Sequence, residues 1–156
     1  MLDPRDILIL DAVQRDDGTS LEEIGARVHL SPSACSRRIA ALRRAGYIDR
    51  SVAVLDRRKL GIPTTLFIII RVSVHTDEWT RIFRQALSEI PEIVEAHRVT
   101  GNFDYILKMV LPNVEHYDVV YKTLIGKVPM HEVSAYISME TVKDAGPLPL
   151  SYAPVG

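Results

Sequence analysis

Residues 30–46 read L-S-P-S-A-C-S-R-R-I-A-A-L-R-R-A-G, and this stretch decides how the rest of the chain is read. Ser31 is placed to cap a first helical turn, with Pro32 at the first helical position, where its missing N–H costs nothing. Gly46 supplies the left-handed residue that closes the other end. Cys35, Ile39 and Leu42 recur at i, i+4 and i+7 and so form one narrow apolar stripe. Ser33, Arg37 and Arg44 point the opposite way, with Ser36 and Arg43 on one flank and Arg38 on the other. Four arginines and no acid over about four turns describe a helix suited to a polyanion. A basic helix alone also describes an ordinary solvated face, so its surroundings decide.

Upstream, Asp3 and Pro4 open a helix over about 4–15, with Ile7, Leu10, Ala12 and Val13 on its apolar side. Asp16 to Thr19 break it. Ser20 opens a second, short helix, and Glu23 three residues later completes a capping box. His29 and Leu30 then turn tightly into the basic helix. Three short helices with a turn of about four residues between the last two fit a helix-turn-helix domain over residues 1–50. In that motif the second helix of the pair enters the major groove of double-stranded DNA, and its N-terminal residues reach base edges. The candidate DNA-binding residues are Ser31, Ser33, Ser36, Arg37, Arg38, Arg43 and Arg44. Arg37 has the reach to bond bidentately to a guanine, whereas Arg43 and Arg44 suit phosphates.

Downstream, Tyr47 to Leu55 is rich in β-formers and reads as a strand or wing, and residues 51–63 as a strand and linker ending in Gly61-Ile62-Pro63. Within it, Arg57, Arg58 and Lys59 are either DNA-backbone contacts or solvated linker charges. Residues 64–143 then alternate between two periods. Strands are expected over 64–74, 92–100, 105–111 and 133–142, and helices from Asp77 to Pro91 and over 114–128. Gly101-Asn102 marks the turn of a hairpin between the middle two strands. The order β-α-β-β-α-β predicts a ferredoxin-like sandwich with both helices on one face, so the chain is α+β: an N-terminal (winged) helix-turn-helix and a C-terminal ferredoxin-like domain. The uncovered face is apolar and calls for a partner, most economically a second copy packed sheet on sheet. Residues 144–156, with three prolines, read as an irregular tail.

Charge separates the two parts. The net charge of −1 hides +2 over residues 1–60 (11 Lys/Arg, 9 Asp/Glu) and −3 over 61–156 (8 against 11). Between Arg27 and Lys59 nine basic residues meet two acids, which marks the nucleic-acid-binding end. The longest apolar run, Leu66–Ile70, is too short to cross a membrane, and no signal-peptide layout precedes the first helix. A cytoplasmic, nucleoid-associated location is therefore expected, without membrane partners. The single cysteine sits on the apolar stripe and reads as a small buried hydrophobe. The five histidines show no metal-ligand spacing, and no Ser/His/Asp set, phosphate loop or dinucleotide fingerprint occurs, so neither an enzyme nor a metal or cofactor is expected.

L-S-P-x-x-C-x-x-R-I-x-x-L-x-x-x-G-x-I at 30–48, V-T-G-N-F-D-Y at 99–105 and M-E-T-V-K at 139–143 together resemble the Lrp/AsnC (feast/famine) family of transcriptional regulators. The resemblance covers about residues 2–143. It implies a homodimer that assembles further, often to an octamer, and a C-terminal domain that binds a small effector, commonly an amino acid, at contacts between dimers. Carried over position by position, the effector site comprises Thr100, Gly101, Asn102 and Asp104 from the hairpin turn, and Ser134, Tyr136 and Ser138 from the last strand. Asn102 stands where the leucine-responsive branch commonly has an acid. A carboxylate and an amide at a turn suit an ammonium group, and the Gly101 N–H suits a carboxylate; G-N-F-D is also good turn chemistry in its own right. Two other readings stay open: an architectural DNA-binding protein without effector, and a sirohaem decarboxylase-like enzyme, a branch sharing both domains but not DNA binding.

Overall fold

The computed structural model describes residues 2–154. The chain divides into two compact units. One comprises residues up to Val54 together with those from Lys143 onward; the other runs from Leu55 to Val142.

The first unit is built on three helices: α1 (Pro4–Arg15), α2 (Leu21–Val28) and α3 (Pro32–Arg44). Each begins where the sequence offers a cap. Ser20 and Glu23 form the expected capping box on α2. A second box, Asp3 with Asp6, opens α1; of its two members, Asp3 is the one expected from the sequence. At the end of α3 the Tyr47 N–H bonds to the Leu42 carbonyl and the Gly46 N–H to that of Arg43, with Gly46 at φ +78°. That paired closure needs a left-handed residue, which glycine adopts without a Cβ clash. The core gathers Leu2, Ile9, Leu10, Ile24, Val28, Cys35, Ile39 and Leu42. Cys35 is wholly buried and unpaired, as a packing residue.

Tyr47–Leu55 departs from expectation. It carries β-formers but forms no strand, and Val52, Val54 and Leu55 stay exposed. A strand needs a ladder partner, and none in the described residues lies beside it. The tail, read as irregular, contains a 3-10 turn over Leu150–Tyr152 and packs Leu150 and Ala153 on the core of the first unit.

The second unit holds β1 (Thr64–Arg71), α4 (Asp77–Glu89), β2 (Ile93–Arg98), β3 (Tyr105–Leu111), α5 (His116–Lys127) and β4 (Glu132–Ile137). The strand order is β2-β3-β1-β4, antiparallel throughout. One face, through Leu66, Ile68, Ile70, Tyr105, Leu107, Met109 and Leu111, packs on Trp79, Phe83 and Ala86 of α4 and Val120 and Leu124 of α5. This is the expected ferredoxin-like arrangement. Three strands end before their expected positions: β1, β2 (at Arg98) and β4. β1 stops at Arg71 because the Val72 N–H is captured by the Asp104 carboxylate. β4 stops at Ile137, opposite Leu66: the Ser138 N–H on the Thr65 carbonyl is its last bond in register, and Pro63, just before β1, has no N–H to continue the ladder. Residues 139–142, expected in the last strand, are irregular, with Met139 and Val142 almost fully exposed.

Candidate nucleic-acid interface and effector turn

The apolar stripe of α3 turns inward, so Ser33, Ser36, Arg37, Arg43 and Arg44 are exposed. The seven residues proposed from sequence then separate by what already holds them. Arg37 and Arg44 make no ion pair or side-chain hydrogen bond among the described residues. Arg43 reaches Asp17 at 3.4 Å, an exposed pair that a phosphate can displace at little cost. Ser31 is spent on capping: its hydroxyl accepts from the Ala34 N–H (3.3 Å) and lies 3.2 Å from the Ser33 hydroxyl. Arg38 is engaged most firmly. Its Nη1 lies 2.6 Å from Asp3 Oδ2 and 2.7 Å from Asp6 Oδ1, so it bridges α3 to the N-terminal turn of α1. The Asp6 N–H, and with it the Arg38 guanidinium, hold the Asp3 carboxyl below the usual carboxylate range against the opposing effect of partial burial.

The spacing between α2 and α3 depends on one glycine. A Cβ at Gly25 would stand 2.5 Å from the Leu30 carbonyl oxygen and 3.8 Å from Cys35 Sγ. The Gly25 carbonyl accepts the Leu30 N–H at 3.0 Å, and His29 turns the corner in the left-handed region at φ 55°. The turn is thus closed by backbone alone.

In the second unit the hairpin turn is tied down on two sides. Gly101 sits at φ +117°, a conformation open to glycine. The Asp104 N–H donates to the Ile70 carbonyl (2.9 Å), and its carboxylate accepts from the Val72 N–H (2.7 Å) and meets His75 Nε2 (2.9 Å). The Val72 N–H first, and then His75, keep the Asp104 carboxyl below its ordinary range, so it carries its charge at neutral pH. The Arg71 guanidinium donates twice to the Asn102 carbonyl, at 3.0 and 2.8 Å, and lies 3.4 Å from Glu132 at the start of β4. His75 also stands at the edge of an aromatic group formed by Trp79, Phe83 and Tyr105. Arg71 and His75 did not emerge from sequence reasoning. They lie 31 and 29 residues before their partners, and nothing local marks such a pairing.

Thr100, Gly101, Asn102 and Asp104 therefore share one end of the sheet. Ser134, opposite Ile69, lies near that end and faces away from the helices, as does Tyr136, opposite Phe67. Ser138 bonds to Thr65, five residues back along β1 from Ile70, about 17 Å away at strand rise. The side chains of Thr100, Asn102, Ser134 and Tyr136 make no hydrogen bond among the described residues, and Ser138 Oγ donates to the Glu140 carbonyl.

Comparison with known proteins fits this division. Residues 2–49 match the family model described as winged helix-turn-helix DNA-binding, and residues 65–148 match that of the Lrp/AsnC ligand binding domain. The chain is similar to the HTH-type transcriptional regulator Zrp of Zymomonas mobilis, 53% identical over 97% of this chain and 99% of that one. The crystal structure of an AsnC family transcriptional regulator from Agrobacterium tumefaciens superposes with a TM-score of 0.92 at 37% identity, covering 98% of this chain and 100% of the other. A transcriptional regulator from Neisseria meningitidis, solved as an L-methionine complex, superposes at 0.91 with 25% identity over 97% and 99%. Fold and interface together define a transcriptional regulator with one DNA-binding and one ligand-binding domain. More particularly, the chain belongs to the Lrp/AsnC family. The relatives it matches are regulators of transcription rather than enzymes.

Proposed function

We propose that this chain is a sequence-specific regulator of transcription, acting in the cytoplasm on the nucleoid, whose grip on DNA answers to an amino acid bound where the ligand-binding domains of different dimers meet. The observation that carries the DNA half is the exposed edge of α3, where Arg37 follows Ser33 and Ser36 and has no intramolecular partner among the described residues. Arg37 is the base-reading residue; Arg43 and Arg44 bind phosphates.

Dimerisation follows from the helix-free sheet face. Phe67 and Ile69 of β1, Ile106 and Val110 of β3 and Tyr136 of β4 share it, and Phe67 and Tyr136 remain exposed. A second copy packed on this face covers it and supplies a second recognition helix for a second half-site. In one chain Ser138 is far from the turn, so a site drawing on all seven candidate residues needs more than one copy. This supports an effector cleft between dimers, and assembly beyond the dimer.

At the turn, Asp104 is the anionic group for an effector's ammonium. Both its oxygens already have a partner, but a carboxylate offers about four acceptor positions, so a further donor can be taken. The same engagement favours a second reading, in which G-N-F-D is a structural clasp and the protein binds DNA architecturally without effector. Thermal shift with each of the twenty amino acids separates the two, because a ligand that binds only the folded state raises its melting temperature. One or two amino acids are expected to raise it, by about 2.7 kcal/mol of stabilisation at a hundredfold excess over Kd. Asp104→Asn, which keeps the shape of the group and removes its charge, is expected to abolish the shift while DNA binding persists. No shift with any amino acid, or a full shift in Asp104→Asn, contradicts the effector site proposed for this turn. L-methionine, found in the Neisseria meningitidis complex, is the first to try.

A further inference from the structure

The chain leaves the DNA-binding unit after Val54 and rejoins it at Lys143. What returns is fastened at both ends of α1. At the C-terminal end the Gln14 carboxamide holds both backbone groups of one residue: Oε1 accepts the Leu148 N–H at 2.8 Å, and Nε2 donates to the Leu148 carbonyl at 3.2 Å. At the N-terminal end the Leu2 N–H donates to the Pro154 carbonyl at 3.2 Å. Between these ties Leu150 and Ala153 pack on the core of the unit. The segment therefore runs antiparallel to α1, along about 18 Å of helix. It also forms one wall of a groove of about 820 Å³ whose floor includes Leu2, Leu10 and Val13. A carboxamide carries a donor and an acceptor side by side without a charge, which suits both backbone groups of one residue.

From α1 the hold passes on to α3. Asp3 and Asp6, the capping pair of α1, are the two partners of Arg38, which projects from the middle of the recognition helix. We propose that residues 143–154 are a strap that sets the position of the recognition helix. Gln14 fastens the strap to α1, and α1 holds α3 through Arg38. Gln14 and Arg38 are positioning residues for DNA binding, and neither touches DNA. The strap continues from β4, whose final tie is the Ser138 N–H on the Thr65 carbonyl. From Ser138 to Leu148 the chain spans at most about 35 Å. The DNA-binding unit is thus attached to the ligand-binding unit by two covalent connections, one entering the sheet at β1 and one leaving it at β4.

The test compares the full chain with Gln14→Ala and with a chain ending at Asp144. Alanine is the best helix former, so Gln14→Ala unfastens the strap while removing within α1 only the Nε2 bond to Asp11 Oδ1 (3.2 Å). Amide hydrogen exchange is followed over residues 4–15 and 148–154, and binding to a mixed-sequence duplex of about 40 base pairs is measured at several salt concentrations. In Gln14→Ala, exchange should speed up about tenfold or more at Leu148 and along α1. The Kd should weaken about fivefold, a typical size for a change that acts through packed elements. The slope of log K against log salt should not change, because no phosphate contact is lost. The shortened chain should show the same effects or larger ones; if it fails to fold, Gln14→Ala carries the test alone. Unchanged exchange at Leu148 and along α1 overturns the strap. Faster exchange with unchanged affinity reduces it to packing and overturns its role in DNA binding. A salt slope reduced by about one assigns Gln14 to a phosphate and overturns the positioning role.

Discussion

Gly25→Ala is expected to unfold the DNA-binding unit at temperatures where the ligand-binding unit stays folded. In most helices this exchange stabilises, since alanine gains up to about 1 kcal/mol over glycine in a helix interior. Here the new methyl group would meet the Leu30 carbonyl oxygen at 2.5 Å. The obstacle is backbone, not the end of a flexible side chain, so relief requires α2 and α3 to part. That opens the Leu30 N–H bond to the Gly25 carbonyl and pulls Cys35, Ile39 and Leu42 away from the core they share with Ile24 and Val28. Overpacking of a close contact typically costs 1–3 kcal/mol, and the helical gain offsets only part of it; a net loss of about 1–2 kcal/mol is large against a total stability of about 5–15 kcal/mol. The check is a melt that resolves the two units. The first transition should fall by several degrees, the second should hold, and DNA affinity should drop with the first. An unchanged or raised first transition would show that α2 and α3 are not packed this closely.

Arg37→Ala is expected to cost about 1–3 kcal/mol of binding to a specific site and much less on random duplex, since a lost bidentate base contact removes discrimination. Arg44→Ala should behave differently. It should weaken both duplexes about equally and reduce the salt slope by about one, as a phosphate contact does. Arg38→Ala separates from both. Its guanidinium lies 2.6 and 2.7 Å from two carboxylates of α1, so its loss leaves those acids beside each other and loosens α3 without altering the salt slope. Filter binding or fluorescence anisotropy at three or more salt concentrations distinguishes these patterns. Equal losses for Arg37→Ala on specific and random DNA would remove it as the base-reading residue.

These three arginines show how far the site was legible in the chain. Helical periodicity places Arg37 and Arg44 opposite the apolar stripe, and Arg38 on the flank, of a helix whose caps, Ser31 and Gly46, are plain in the sequence. It cannot show that Arg38 is occupied, because Asp3 and Asp6 lie more than thirty residues away. The fold was legible for the same local reasons. Ser20 with Glu23, Pro32, and the alternation of Tyr105, Leu107, Met109 and Leu111 each specify an element through neighbours within a few residues. What escaped is non-local. Tyr47–Leu55 has the composition of a strand and no ladder to join. Residues 139–142 outrun the strand they would pair with. The tail reads as irregular by its prolines, yet Gln14, distant in sequence, offers Leu148 both hydrogen bonds it needs. At the hairpin, turn chemistry at Gly101 was readable, while the capture of Asp104 by Val72 and His75 depends on where β1 ends in space.

On the function proposed here, one chain reads a DNA sequence with α3 and changes that reading when its ligand-binding domain is occupied. The most direct measurement selects a tight-binding duplex from a random pool and then determines its Kd alone and with each of the twenty amino acids. A two-half-site sequence should be bound at least about a thousandfold more tightly than random duplex. One or two amino acids should shift that Kd about fivefold or more, a coupling of at least about 1 kcal/mol. Binding without sequence preference, unmoved by any amino acid, would contradict the proposed function.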